Sequence, residues 1–166
     1  MAMVRRHIFS VLSVLGALVA FAGHAQALGN GWALGCDSTN ECRLTNEVTA
    51  PDTGLTTRFE LTLGETGVAM MIMTPLGIDL PSGATLQVDA GRTLALAAKT
   101  CEGYGCIFLL APDKELMTAF ENGAQAHLQF YSADKNVLFK MTHQMTGFGS
   151  NFKALEKISK PEVFMS

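Results

Sequence analysis

Apolar and polar residues alternate with a period of two along much of this chain. Arg58-Phe59-Glu60-Leu61-Thr62-Leu63 alternates strictly, the spacing of a strand with one face buried. Ala126-His127-Leu128-Gln129-Phe130-Tyr131 repeats the pattern, with Ala126, Leu128 and Phe130 turned inward. Val68-Ala69-Met70-Met71-Ile72-Met73 is apolar on both faces, which predicts a central strand. Trp32–Cys36 and Cys42–Val48 predict a first hairpin across the turn cluster Asp37-Ser38-Thr39-Asn40. Leu80, then Thr85–Asp89, continue the β pattern around Pro81-Ser82-Gly83. Thr93–Ala98 predicts the strand that enters a second hairpin, tipped by Cys101-Glu-Gly-Tyr-Gly-Cys106 and left through Ile107–Ala111. Val137–Met145 predicts the last strand.

Two stretches switch to helical spacing. After Pro112, Asp113 is placed to cap a helix, Glu115 suits its first turn, and Gly123 ends it. Leu116 and Phe120 share one face of that helix. Ser150 is the expected cap of a terminal helix in which Phe152 and Leu155 pack, stopped by Lys160-Pro161. Many short strands with turn signals between them make an all-β sandwich or barrel. The helices then serve as a short crossover and a short C-terminal lid.

The first residues change the picture of where the protein works. Arg5 and Arg6 precede an apolar run from Ile8 to Ala22, and Ala25-Gln26-Ala27 has the small residues of a cleavage site. The run is 15 residues long, short of the ~20 that span a bilayer. Residues 1–27 therefore read as a signal peptide, with one domain expected over 28–160. Removing the signal leaves ten basic and fifteen acidic residues, a net charge of −5. That balance argues against nucleic acid and against an anionic membrane as partner.

Cys36, Cys42, Cys101 and Cys106 all lie beyond the signal, and an even count in an exported chain predicts two disulfides. Four cysteines permit three pairings. The local pairs, Cys36–Cys42 and Cys101–Cys106, are expected because close partners meet first and each loop holds turn formers. The gaps of five and four residues are wider than the two of the common redox motif.

Candidate chemistry is sparse. Met141, His143 and Met145 fall on one face of a strand, and thioether plus imidazole is a Cu(I) ligand set. Val137 and Phe139 share that face, which makes it the core side, and Met commonly fills cores. Met71 and Met73 share a face of another strand. His127 alternates onto the outward face of its own strand, opposite to the His143 side. Asp79 and Asp89 flank Pro81-Ser82-Gly83 and read as turn and strand-end residues. The chain has neither a Gly-X-Ser-X-Gly elbow nor His-Glu-X-X-His, and no helix follows Gly103 and Gly105 to make a phosphate loop. Tyr104, at the tip of the second hairpin, is the exposed aromatic expected to meet a partner.

Read together, Trp32 with Cys36 and Cys42, the run Pro75-Leu76-Gly77-Ile78-Asp79-Leu80-Pro81-Ser82-Gly83, Leu86–Asp89, Cys101, Gly105-Cys106, Phe120 to Gly123, Gly147-Phe148 and Ala154-Leu155 resemble the invasion-associated locus B family of exported bacterial proteins. The likeness runs from Trp32 to about Leu155. It implies an immunoglobulin-like β-sandwich in the periplasm or at the outer envelope of a Gram-negative bacterium. It also implies Cys36, Cys42, Cys101 and Cys106 as disulfide cysteines, and Pro-Leu-Gly and Gly-Phe as structural positions. Founding members are linked to host-cell invasion, and the family brings no catalytic motif. Met141-Thr-His143-Gln-Met145 departs from the small or apolar residues expected there. The expectation is an exported, non-enzymatic protein without a cofactor, which binds an envelope or host-surface protein and is not itself integral to a membrane. The alternative is periplasmic Cu(I) binding through Met141, His143 and Met145.

Overall fold

The computed structural model describes residues 31–159. The expected signal segment 1–27 and the Lys160-Pro161 stop lie outside the described residues. In chain order the elements are β1 (Ala33–Cys36), β2 (Cys42–Thr49), β3 (Thr56–Gly64), β4 (Gly67–Thr74), β5 (Ala84–Val88), β6 (Thr93–Leu96), β7 (Ala98–Glu102), β8 (Gly105–Leu110), α1 (Lys114–Asn122), β9 (Gln125–Tyr131), β10 (Leu138–Gln144) and α2 (Phe148–Ser159).

The strands form two antiparallel sheets packed as a sandwich. One has six strands in the order β1-β2-β3-β4-β8-β7, the other four in the order β10-β9-β5-β6. The alternation in the sequence fixes which side of each strand is inside. Leu44, Phe59, Leu61, Met70, Ile72 and Phe108 of the six-stranded sheet are buried against Leu86, Leu128, Phe130 and Met141 of the other. Large apolar side chains of this kind each stabilise a fold by about 1.5–3 kcal/mol when fully buried. Met70 and Ile72 point inward while Met71 and Met73 are half-buried on the outside, so β4 is central, paired to β3 and β8.

Two sequence expectations change. Thr93–Leu96 does not enter the second hairpin: it pairs with β5 in the four-stranded sheet, and the hairpin strand is β7, which starts at Ala98 and pairs with β8. The chain changes sheets at Ala97, where Gly83 lies against the Leu96 carbonyl at a φ of 64° and leaves no room for a Cβ. Leu80 is exposed in the turn before β5 instead of continuing its β pattern.

The helices close the open side of the sandwich. Asp113 caps α1 as expected, accepting from the Leu116 N–H at 2.8 Å. α2 starts two residues before the expected cap, because burial of Phe148 draws Phe148–Ser150 into the helix; the Ser150 hydroxyl instead donates to the Gly147 carbonyl at 3.1 Å. Trp32 seats the plug, edge-on to Phe148 with ring centres 5.0 Å apart and 6.1 Å from Phe120.

Candidate functional site

Both disulfides form as the local pairs, Cys36–Cys42 and Cys101–Cys106. Each joins residues directly opposite one another in register, β1 to β2 and β7 to β8. The two staples therefore secure the two outer hairpins of the same six-stranded sheet.

The β7–β8 staple supports a short tip. Glu102 pairs with Gly105, which leaves Gly103 and Tyr104 as the turn. Tyr104 is 63 % exposed, the most exposed of the large apolar side chains described. Gly105 lies so close to the Thr74 carbonyl that a Cβ would collide with it, so the tip is pressed onto the end of β4.

From Thr74 the Pro75–Gly83 connection runs to β5, and on its way Ile78 bridges Ser132 at the β9–β10 turn. The Asp79 N–H donates to the Tyr131 carbonyl and the Ala133 N–H to the Gly77 carbonyl, at 2.9 and 2.8 Å. Asp79 is buried, accepts from the Ser82 hydroxyl and pairs with Lys135 at 3.3 Å. The Ser82 hydrogen bond, then Lys135, hold its carboxyl below the usual carboxylate range. Asp134 organises the adjoining turn: the Ser132 hydroxyl and Asn136 push it down to about 2.

These segments carry an apolar surface. Among the described residues, the exposed large hydrophobic side chains are Leu76, Leu80, Tyr104, Leu109, Tyr131, Val137, Leu138 and Ile158. All but Leu109 and Ile158 sit on the connection, the β7–β8 tip or the β9–β10 hairpin. Tyr104 was legible in advance from its Gly-X-Gly setting. Leu76 and Leu80 were not, because the turn-rich connection reads as an interrupted strand; their placement beside Gly77 and Pro81 is the signal that finds them.

The Met141–His143–Met145 face points into the core. All three side chains are buried. The His143 ring stacks on Phe59 with centres 3.8 Å apart, and bonds Asn46 Oδ1 through Nδ1 and Thr57 Oγ1 through Nε2, each at 2.9 Å. Asn46 Nδ2 donates to the Gln144 carbonyl at 2.8 Å, so its Oδ1 is an acceptor and His143 Nδ1 carries the proton. Nε2 then accepts from Thr57. No lone pair remains on the imidazole for a metal, and these residues do not fit a Cu(I) centre. Burial pushes His143 down to about 3, so the ring stays neutral. Met71 and Met73 lie on the opposite, outer side of the fold. His127 is half-buried on the outer face of β9, with Nδ1 at 3.2 Å from Thr142 Oγ1.

Asp79 and Asp89 are the turn and strand-end residues their positions implied. Asp89, at a φ of 46°, accepts from the N–H groups of Ala124 and Gln125 at 3.0 and 2.9 Å, and these bonds lower its pKa.

Among the described residues no helix is long and apolar enough to cross a membrane. Residues 32–156 match the model of the Invasion associated locus B (IalB) protein family. The chain is 27 % identical over 164 residues to invasion protein B homologs of Brucella abortus (strain 2308) and Brucella abortus biovar 1 (strain 9-941), spanning 92 % of this chain and 93 % of each relative. Its fold is similar to the crystal structure of invasion associated protein b from Bartonella henselae, with a TM-score of 0.69, 22 % identity, and 76 % of this chain and 92 % of that one covered. The sandwich is thus immunoglobulin-like, and this chain belongs to the invasion-associated locus B family.

Proposed function

We propose that this is an exported protein of the invasion-associated type, cleaved after residue 27 and resident in the periplasm or at the outer envelope. Its domain, 28–160, acts by binding a protein of the envelope or of a host surface, and not by catalysis. The contact surface is the end of the sandwich that carries Tyr104, Leu76, Leu80 and Val137. The observation behind this reading is the clustering of exposed apolar side chains on three adjoining segments, with few elsewhere among the described residues. Contiguous exposed apolar surface on a folded domain marks interaction sites. The Cys101–Cys106 staple presents Tyr104 on a stiff support, which reduces the ordering cost of binding.

The test is capture from envelope extracts and from host-cell surface extracts, using the chain from residue 28 with both disulfides formed. Wild type is compared with the Leu76→Ser/Tyr104→Ser double variant and with Leu109→Ser on the opposite sheet face. A partner kept by wild type and Leu109→Ser and lost by the double variant supports the reading. A partner held equally by all three, or none held by wild type, overturns it.

A further inference from the structure

The outer face of the four-stranded sheet is a second surface, and its chemistry is unusual for an acidic protein. Its two central rows read Lys140–Gln129–Thr85 and Thr142–His127–Gln87 across β10, β9 and β5. In each strand these residues alternate with buried ones, so all six face outward. The outward positions of these strands and of β6 bring no carboxylate to this face, although the chain beyond its signal carries fifteen acidic residues. Asp89 sits at the strand ends and is tied to the N–H groups of Ala124 and Gln125, and Asp79, behind Ser82, is paired with Lys135.

At one end of these rows lies an open hollow of about 190 Å³ lined by Ser82, Thr85, Gln129, Tyr131 and Leu138 among others. Tyr131 is 42 % exposed on its rim and is paired with Leu138 across the ladder. The hollow is smaller than the ~300–1,000 Å³ that enclose a drug-sized molecule. It suits one residue of a chain lying across the sheet.

We infer that this face binds a neutral glycan chain. An aromatic ring beside a hollow offers a flat apolar surface to the C–H face of a sugar. Gln129 and Thr85 supply neutral donors and acceptors for its hydroxyls, and each can both give and take a hydrogen bond. The absence of carboxylates leaves no negative charge on the face that a neutral ligand would have to desolvate without a partner. Lys140 is the one full charge in the rows, at the outer edge. A basic peptide would find no anion here, and an acidic one a single lysine, so charge complementarity selects the uncharged polyhydroxyl ligand. This surface meets the apolar end at Tyr131 and Leu138 and extends from there across the sheet, and it does not involve Tyr104 or Leu76.

The experiment is a titration of the disulfide-intact chain with a tetramer of N-acetylglucosamine and with a β-linked glucose tetramer, followed by ¹⁵N NMR. A sulfated tetrasaccharide and a lysine-rich peptide are the comparison probes. The inference predicts that at least one neutral tetramer binds and shifts amides of β5 and β9. Tyr131→Ala and the Thr85→Ala/Gln129→Ala pair should each weaken that binding by roughly tenfold or more, while Leu109→Ala leaves it unchanged. These positions face solvent, so the amide spectrum of each variant reports directly that it is folded. Neither neutral tetramer binding, binding unaltered in the face variants, or binding confined to the sulfated sugar or the peptide would overturn it.

Discussion

On the six-stranded sheet, the outer face sets Arg43 between Asp37 and Glu60, each at 3.1 Å, with Arg58 on the other oxygen of Glu60 at 3.0 Å. Beside these ion pairs, Met71 and Met73 stand opposite Leu109 and Ile107 in register. The four-stranded sheet faces water with Gln, Thr and His instead. Both sheets obey the same period of two, and their inner faces share one core. The periodicity that builds the fold is therefore indifferent to what the outward residues are, and those residues distinguish the two surfaces. The sheets also differ in how they are held. The larger one has a disulfide on each outer hairpin, and the smaller one relies on its ladder, the shared core and the His143 bonds to Asn46 and Thr57 across the sandwich.

Reducing both disulfides removes this asymmetry and has the largest expected effect. Each closes a short loop worth about 2 kcal/mol in the chain-entropy model, so urea unfolding should show a loss of about 4 kcal/mol. Hydrogen exchange should accelerate first in β1 and β7 and last in β9.

Acid attacks the contact between the sheets. His143 has its pKa lowered from 6.5 to about 3 by burial, so the unfolded chain takes up the proton first. The contribution of the neutral ring is complete above pH 6.5 and is lost as pH falls through the window toward 3. At about 1.4 kcal/mol per unit, urea midpoints should report a loss of about 3 kcal/mol by about pH 4.5. A His143→Gln variant should lose most of this slope between pH 6.5 and about 4.5, below which the lowered carboxylates of Asp79, Asp89 and Asp134 add their own acid sensitivity. An equal slope in the variant would place the acid sensitivity elsewhere.

Asn46→Ala cuts the same contact at neutral pH. It leaves the His143 Nδ1–H and the Gln144 carbonyl without their partner, a cost of about 1–3 kcal/mol that thermal unfolding would detect. The outer faces themselves contribute least. Arg43→Ala should cost no more than about 1 kcal/mol, and Gln129→Ala should fall within about 0.5 kcal/mol by the same measurement. A larger loss from Gln129→Ala would mean that the four-stranded face helps to hold the fold and is not a free surface.

The inner half of this architecture was legible in the sequence wherever alternation was strict, as in β3 and β9. It failed at Thr93–Ala98, because a run of small and apolar residues continues unbroken while the backbone changes sheets at Ala97. Tyr104 and both staples were legible because turn residues and cysteines lie within six positions of each other. The fate of His143 was legible only in part: its spacing put it on the core side, but its partners Asn46 and Thr57 lie 97 and 86 residues away. The uncharged rows were hidden for a similar reason, since Lys140, Gln129 and Thr85 become neighbours only once the register of three strands is known.

The Tyr104 end is proposed to meet a protein partner. The most direct test is site-specific photo-crosslinking in envelope and host-surface preparations, with the reactive group placed once at position 104 and once at position 109. A discrete crosslinked protein is expected from position 104 and none from position 109. Equal crosslinking from both positions, or a product from 109 alone, would contradict it.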